Sequence, residues 1–185
     1  ANVGFAKAAN AGIRAARCEW VALLNDDAVP DAGWIAGARL GRRDGDVGAV
    51  ASRIVRYDDP DVIESAGDGY TTAGLAYHRL NGRSGARAGE AERVFSACAA
   101  AAFYRRAAIE EAGLFGESFG SHYEDVDLGF RLTLLGWRTV YEPGSVCRHR
   151  CATSYGELSH TRLFNSARNS EVVFFSCMPG RLLVK

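Results

Sequence analysis

Trp20-Val21-Ala22-Leu23-Leu24-Asn25-Asp26-Asp27 is the stretch that decides how the chain is read: five apolar residues stopped by three polar ones. A continuous apolar run of that length suits a strand buried on both faces, and its abrupt end places carboxylates at a sheet edge. Upstream, Phe5, Ala8, Ala9, Ile13 and Ala16 recur at helical spacing while Lys7, Arg14 and Arg17 take other faces, which predicts an amphipathic helix. Downstream, Pro30-Asp31 introduces a short helix through Trp34, Ile35 and Ala38, and Val47 to Val55 reads as the next strand. Helix, strand, helix and strand in that order predict an α/β domain whose mostly parallel sheet is flanked by helices.

Between Arg56 and Arg93 periodicity dissolves among Gly67, Gly69, Gly74, Gly82, Gly85 and Gly89, so residues 56–93 read as a variable loop or insertion within one domain spanning 1–185. Order returns with an apolar stretch from Val94 to Phe103 and a helix from about Arg105 to Ala112, ended by Gly113. Ser121-His122-Tyr123-Glu124 has the form of a capping box and opens a nearly all-round apolar helix that runs to Gly136. Trp137 to Tyr141 and Ser145 to His149 read as two short strands, and Glu157 to Phe175 as a last helix.

Composition narrows the partners. Acidic and basic residues balance at 22 each over 185 residues, so no global basic field draws the chain to nucleic acid. Five cysteines at irregular spacings fit reduced thiols and a cytoplasmic setting better than a disulfide framework. Cys147 and Cys151 flank His149, yet a closed four-ligand zinc site is not supplied. No run reaches the roughly eighteen apolar residues that a bilayer requires. The segment from Val172 to Val184, interrupted by Pro179 and Gly180, is expected to pack on the domain or to touch a membrane surface.

Three groups can carry chemistry. The hard oxygens of Asn25, Asp26 and Asp27 suit Mg²⁺ or Mn²⁺, which bind through a few carboxylates plus diphosphate oxygens; a polar turn is the plainer alternative. Glu124, Asp125 and Asp127 open a helix, where acids complement the dipole and Asp127 can pair with Arg131 one turn on. A deeply buried helix would nonetheless hold Asp125 rigidly, as a general base requires. His149 lies in Arg148-His149-Arg150, as a ligand or as an ordinary structural histidine. Arg162, Arg168 and Asn169 lie late in the chain on a helix, facing phosphate or solvent.

Taken together, Asn2-Val3-Gly4-Phe5-Ala6-Lys7-Ala8-Ala9-Asn10-Ala11-Gly12, Leu23-Leu24-Asn25-Asp26-Asp27-Ala28, Glu124-Asp125-Val126-Asp127-Leu128, Gly136-Trp137-Arg138 through Tyr141-Glu142-Pro143, and His149 resemble the inverting family 2 glycosyltransferases of the GT-A fold, in particular their rhamnosyltransferase-like and galactofuranosyltransferase-like branch. The resemblance implies that Asp27 and His149 hold the metal, that Asn25 and Asp26 lie by the donor ribose and diphosphate, and that Asp125 is the base. Glu124 and Arg168 join them as candidates for donor contact. It further implies a nucleoside-diphosphate sugar donor, a glycan or lipid-linked acceptor, and a role in cell-envelope synthesis, cytoplasmic or peripheral at the inner membrane face.

Two departures stand out. Such enzymes begin with two further strand-helix units, so an upstream nucleotide-binding portion is expected to be missing, and the sheet edge it leaves would favour self-association. Where the family commonly has a Gly, this chain has Ser96-Ala97-Cys98-Ala99. The alternatives are a non-catalytic sugar- or protein-binding module and a nucleotidyltransferase, but no Gly-rich phosphate loop stands near the start to support the latter.

Overall fold

The computed structural model describes residues 3–39, 41, 44–150 and 160–180. In chain order they form α1 (Phe5–Ala15), β1 (Trp20–Leu24), β2 (Ala28–Pro30), α2 (Trp34–Gly37), β3 (Val47–Arg56), β4 (Ile63–Ala66), β5 (Asp68–Tyr70), β6 (Ala76–His78), β7 (Glu92–Val94), β8 (Ala101–Arg105), α3 (Arg106–Glu111), α4 (Glu124–Leu134), β9 (Arg138–His149) and α5 (His160–Cys177), with short 3₁₀ turns at Gly85–Arg87 and Glu117–Phe119.

β3 and β9 are the spine, pairing in parallel from Val47↔Arg138 to Arg56↔His149. The strand order is β1-β8-β3-β9-β2, with β4 added to β3 and β7 to β9. The expected α/β layering is present, but the sheet is mixed rather than mostly parallel: every other pairing in it is antiparallel. Nor is β1 buried on both faces. Among the described residues it pairs only with β8, and Ala22 and Leu24 are exposed.

Alternation along β8 shows how an alanine-rich strand serves two cores. Ala102 and Tyr104 face α1, α3 and α4, where Ile13, Ile109, Leu128, Leu132 and Phe115 are buried. Ala101 and Phe103 face α2, where Trp34 stacks on Phe103 at 4.5 Å between ring centres and donates from Nε1 to Ser52 Oγ at 2.8 Å. The small side chains let the bulky groups of the helices come close to the sheet, and burying each such aromatic contributes about 2–3 kcal/mol.

Several elements depart from the sequence reading. The stretch 56–93 holds β4, the β5–β6 hairpin and the start of β7, each too short to show a period. Val94 to Phe103 is not one strand, because Phe95 and Ser96 turn aside to bond the backbone of Asp68. The two late strands are one, β9, with a register shift opposite Ser52 and Arg53 that absorbs Pro143 and Gly144. The capping box does not form: Tyr123 is the cap residue, in the left-handed region at φ 70°, with no side-chain bond to the helix. Leu134 and Leu135 are exposed, so α4 is not buried all round. The expected helix start at Glu157 and Cys151 of the zinc grouping lie outside the described residues.

Candidate active site

β2 is only three residues long, yet it sets one half of the site. Its pairing of Ala28 with His149 puts the last residue of the β1–β2 turn beside the last residue of β9. Asp27 Oδ1 lies 3.0 Å from His149 Nε2. On the other side of the ring, His149 Nδ1 lies 2.8 and 3.1 Å from the two carboxylate oxygens of Glu64, which β4 delivers. Asn25 is half-buried in the same turn and Asp26 is exposed. Glu64 escaped the sequence reading; its one signal was an acid inside the short apolar run from Val62 to Ala66.

The other half is built at the start of α4. Asp125 Oδ2 accepts from the backbone N–H of Ala99 at 3.1 Å, and Oδ1 from that of Val126 at 2.9 Å. The Cys98–Ala100 turn joins the two halves, because Ala100 carbonyl accepts from Asn25 N–H at 2.9 Å. Asn25 and Asp125 are therefore tied to one turn, and Asp27 follows Asn25 by two residues. Burial, and then the charge of Asp68, hold the Asp125 carboxyl well above the usual aspartate range. Burial and the charge of Asp125 do the same for Glu124, whose Oε2 has no hydrogen-bond partner among the described residues. Burial raises the Cys98 thiol well above its ordinary value and pushes that of Cys147 up to about 12.

Asp68, also absent from the sequence reading, is buried beneath Asp125 and takes a contact of 2.6 Å from His78 Nδ1 across the β5–β6 hairpin, with Ser65 and Ser96 hydroxyls at 3.4 Å. Burial opposes a charge on His78. The hydrogen bond to Asp68 and the fields of Asp68, Asp125 and Glu64 outweigh it and raise the imidazole to about 9. A cation thus stands beside the acids at neutral pH.

The loop that leads to Asp125 is strained and gripped. His122 and Tyr123 have φ of 67° and 70°, costly for non-glycine residues and persistent only where neighbours over-determine them. Asn169 of α5 is buried and donates from Nδ2 to the carbonyls of Phe119, Ser121 and His122 at 2.9, 3.0 and 2.7 Å. Asn10 of α1 holds Phe115 through both N–H and carbonyl. Arg168 is brought to this loop, donating to the Ser118 and Phe119 carbonyls at 2.9 Å, and not to the Asp27–His149 pair. Asp127 takes the structural role open to it, bonding Arg131, which ties α4 to the Ala112 carbonyl.

One carboxylate oxygen facing one imidazole nitrogen is a donor pair that a divalent first-row ion such as Mn²⁺ accepts, and the other ring nitrogen is already braced. Among the described residues no three acidic, His or Cys side chains form a closed cage. An ion here would complete its shell with oxygens from outside the protein, as Mg²⁺ and Mn²⁺ do at phosphate sites. No described helix is long and apolar enough to cross a membrane.

Comparison with known proteins gives the family and the fold. Over 52 residues the chain is 44% identical to the N-acetylglucosaminyl-diphospho-decaprenol L-rhamnosyltransferase of Mycobacterium tuberculosis, covering 28% of this chain and 17% of that one. Over 146 residues it is 32% identical to the pre-mycofactocin glycosyltransferase of the same organism, covering 79% of this chain and 30% of that one. The chain therefore spans less than a third of the length of these relatives. The fold is shared with GalNAc-T7, described with UDP, GalNAc and Mn²⁺ (TM-score 0.67, 14% identity, 92% of this chain and 34% of that one). It is shared too with the mannosyltransferase PcManGT of Pyrobaculum calidifontis, in complex with GDP-Man and Mn²⁺ (TM-score 0.54, 22% identity, 83% and 38%). A family model described as glycosyltransferase like family 2 matches residues 2–168, and the chain belongs to that family.

Proposed function

We propose that this chain carries the catalytic centre of a glycosyltransferase that moves a sugar from a nucleoside diphosphate to a hydroxyl acceptor with inversion. The observation that carries the reading is the Cys98–Ala100 turn, which bonds the Asn25–Asp27 corner on one side and Asp125 on the other. Asp125 takes the proton of the acceptor hydroxyl while that oxygen forms its bond to the anomeric carbon, and the old bond to the diphosphate breaks with its electron pair staying on the phosphate oxygen. Asp27 and His149 hold the divalent ion, with Asn25 and Asp26 beside the donor. When bound, the ion supplies positive charge against the departing diphosphate. Glu124, beside Asp125 and with a buried Oε2 that has no hydrogen-bond partner among the described residues, is the further candidate for donor contact.

The nucleotide-bound, Mn²⁺-bound structures that share the fold support the donor class and the ion. The decaprenol-linked substrate named for the rhamnosyltransferase supports a lipid-linked or glycan acceptor in cell-envelope synthesis. Residues 56–93 are the variable part of this single domain. In the full-length protein, Asp125→Asn should lower kcat about a hundredfold or more while leaving donor binding in place, as loss of a general base does. Turnover within threefold of the parent would end the assignment.

A further inference from the structure

Glu64 has no role in the mechanism above, yet it is buried, charged and in contact with the site. Its side chain is 9% exposed, and both its oxygens lie within hydrogen-bond reach of a single atom, His149 Nδ1. β4 carries no other polar group toward His149: Ser65 turns to Gly67 and Asp68. The His149 ring is therefore fixed between two carboxylates on its opposite nitrogens, Glu64 on Nδ1 and Asp27 on Nε2. A carboxylate on one nitrogen holds the N–H there, so the other nitrogen keeps its lone pair for a metal ion and the ring cannot rotate away.

We propose that Glu64 is the positioning residue of the ion site: it orients His149 so that Nε2 and Asp27 present one face to the cation. The proposal rests on the reading that Asp27 and His149 hold the ion. A buried carboxylate at 64 is otherwise a liability, since among the described residues it is desolvated without a lysine or arginine hydrogen-bonded to it. The contact distances say what relieves it. The N–H of His149 answers the Glu64 charge, and a cation beyond the ring would polarise that N–H further.

The test is Mn²⁺ binding by the full-length protein without nucleotide, followed by the electron paramagnetic resonance of free Mn²⁺, together with the ¹⁵N shifts of His149 in the metal-free protein. Glu64→Gln should weaken Mn²⁺ binding about tenfold or more, within the range such outer partners command, and should change the ratio of His149 tautomers. His149→Ala should abolish binding. If Glu64→Gln binds Mn²⁺ as the parent does while His149→Ala does not, the positioning role is overturned and the ion site stands. If His149→Ala binds as the parent does, or the parent itself takes up no Mn²⁺, the ion site falls and the proposal with it. Should Glu64→Gln fail to fold, Glu64→Asp serves, since a carboxylate drawn back by one methylene should also weaken binding, and parent-like affinity overturns the role.

Discussion

Replacing Asn169 by Ala would test whether the loop before Asp125 is held by α5 or stands on its own. The side-chain amide has two hydrogens and serves three carbonyls, so one hydrogen is shared. Asn169 is 1% exposed, and water cannot readily take over. The Phe119 carbonyl keeps the Arg168 and Ser121 N–H donors, so its lost bond costs about 1 kcal/mol, whereas the Ser121 and His122 carbonyls, left without a donor, cost about 1–3 kcal/mol each. Against this stands the strain at His122 and Tyr123, about 1 kcal/mol or more each, which is relieved only if the loop lets go. The losses exceed the relief, for a net destabilisation of about 3 kcal/mol. In a chain of this size that lowers the melting temperature by about 6–12 °C. Thermal unfolding followed by circular dichroism gives the value, and amide exchange over residues 116–124 shows where the protection is lost. A melting temperature within 2 °C of the parent, with exchange in the loop unchanged, would refute the clamp.

Other outcomes follow from the same contacts. His78→Gln removes a positive charge that stabilises ionised Asp125 and leaves Asp68 uncompensated; both changes raise the Asp125 pKa, so the acidic limb of the pH–rate profile should move to higher pH, and an unmoved limb would exclude the coupling. Gly129→Ala would ordinarily stabilise a helix by about 1 kcal/mol. Here the new Cβ would stand 2.3 Å from Ser96 Cβ, and overpacking at about 1–3 kcal/mol should win, so denaturant unfolding should show a less stable protein. Asp27→Ala should lose Mn²⁺ binding along with His149→Ala, since the two side chains touch; isothermal titration reads this directly.

Where the sequence was legible, one local signal sufficed. The period of α1, the five-residue run of β1 and the glycine after α3 each fix an element by themselves, and Asp27, Asp125 and His149 stood at ends of elements where ligands gather. The direction of the strands was not legible, because the pairing of β8 between β1 and β3 depends on which side of the sheet the chain returns to. Glu64 was hidden because its partner His149 lies 85 positions away, and Asp68 and His78 because they sit in the three-residue strands of a hairpin, where an acid inside a glycine-rich stretch carries no period. Asn169 read as facing phosphate or solvent, since nothing in its own neighbourhood tells that Phe119 to His122 will arrive opposite it. Ser121 read as a cap, yet its hydroxyl meets Asn165 instead.

Asp27 and His149 stand 122 positions apart in the chain, brought together by a ladder of three residue pairs. During synthesis, Asp27 emerges from the ribosome long before its partner, and a nascent chain halted anywhere short of β9 has half a site. If Asp27 and His149 hold the ion as proposed, its capture is a late event in folding and a reporter of completion, because Mn²⁺ uptake then waits for β9 to dock.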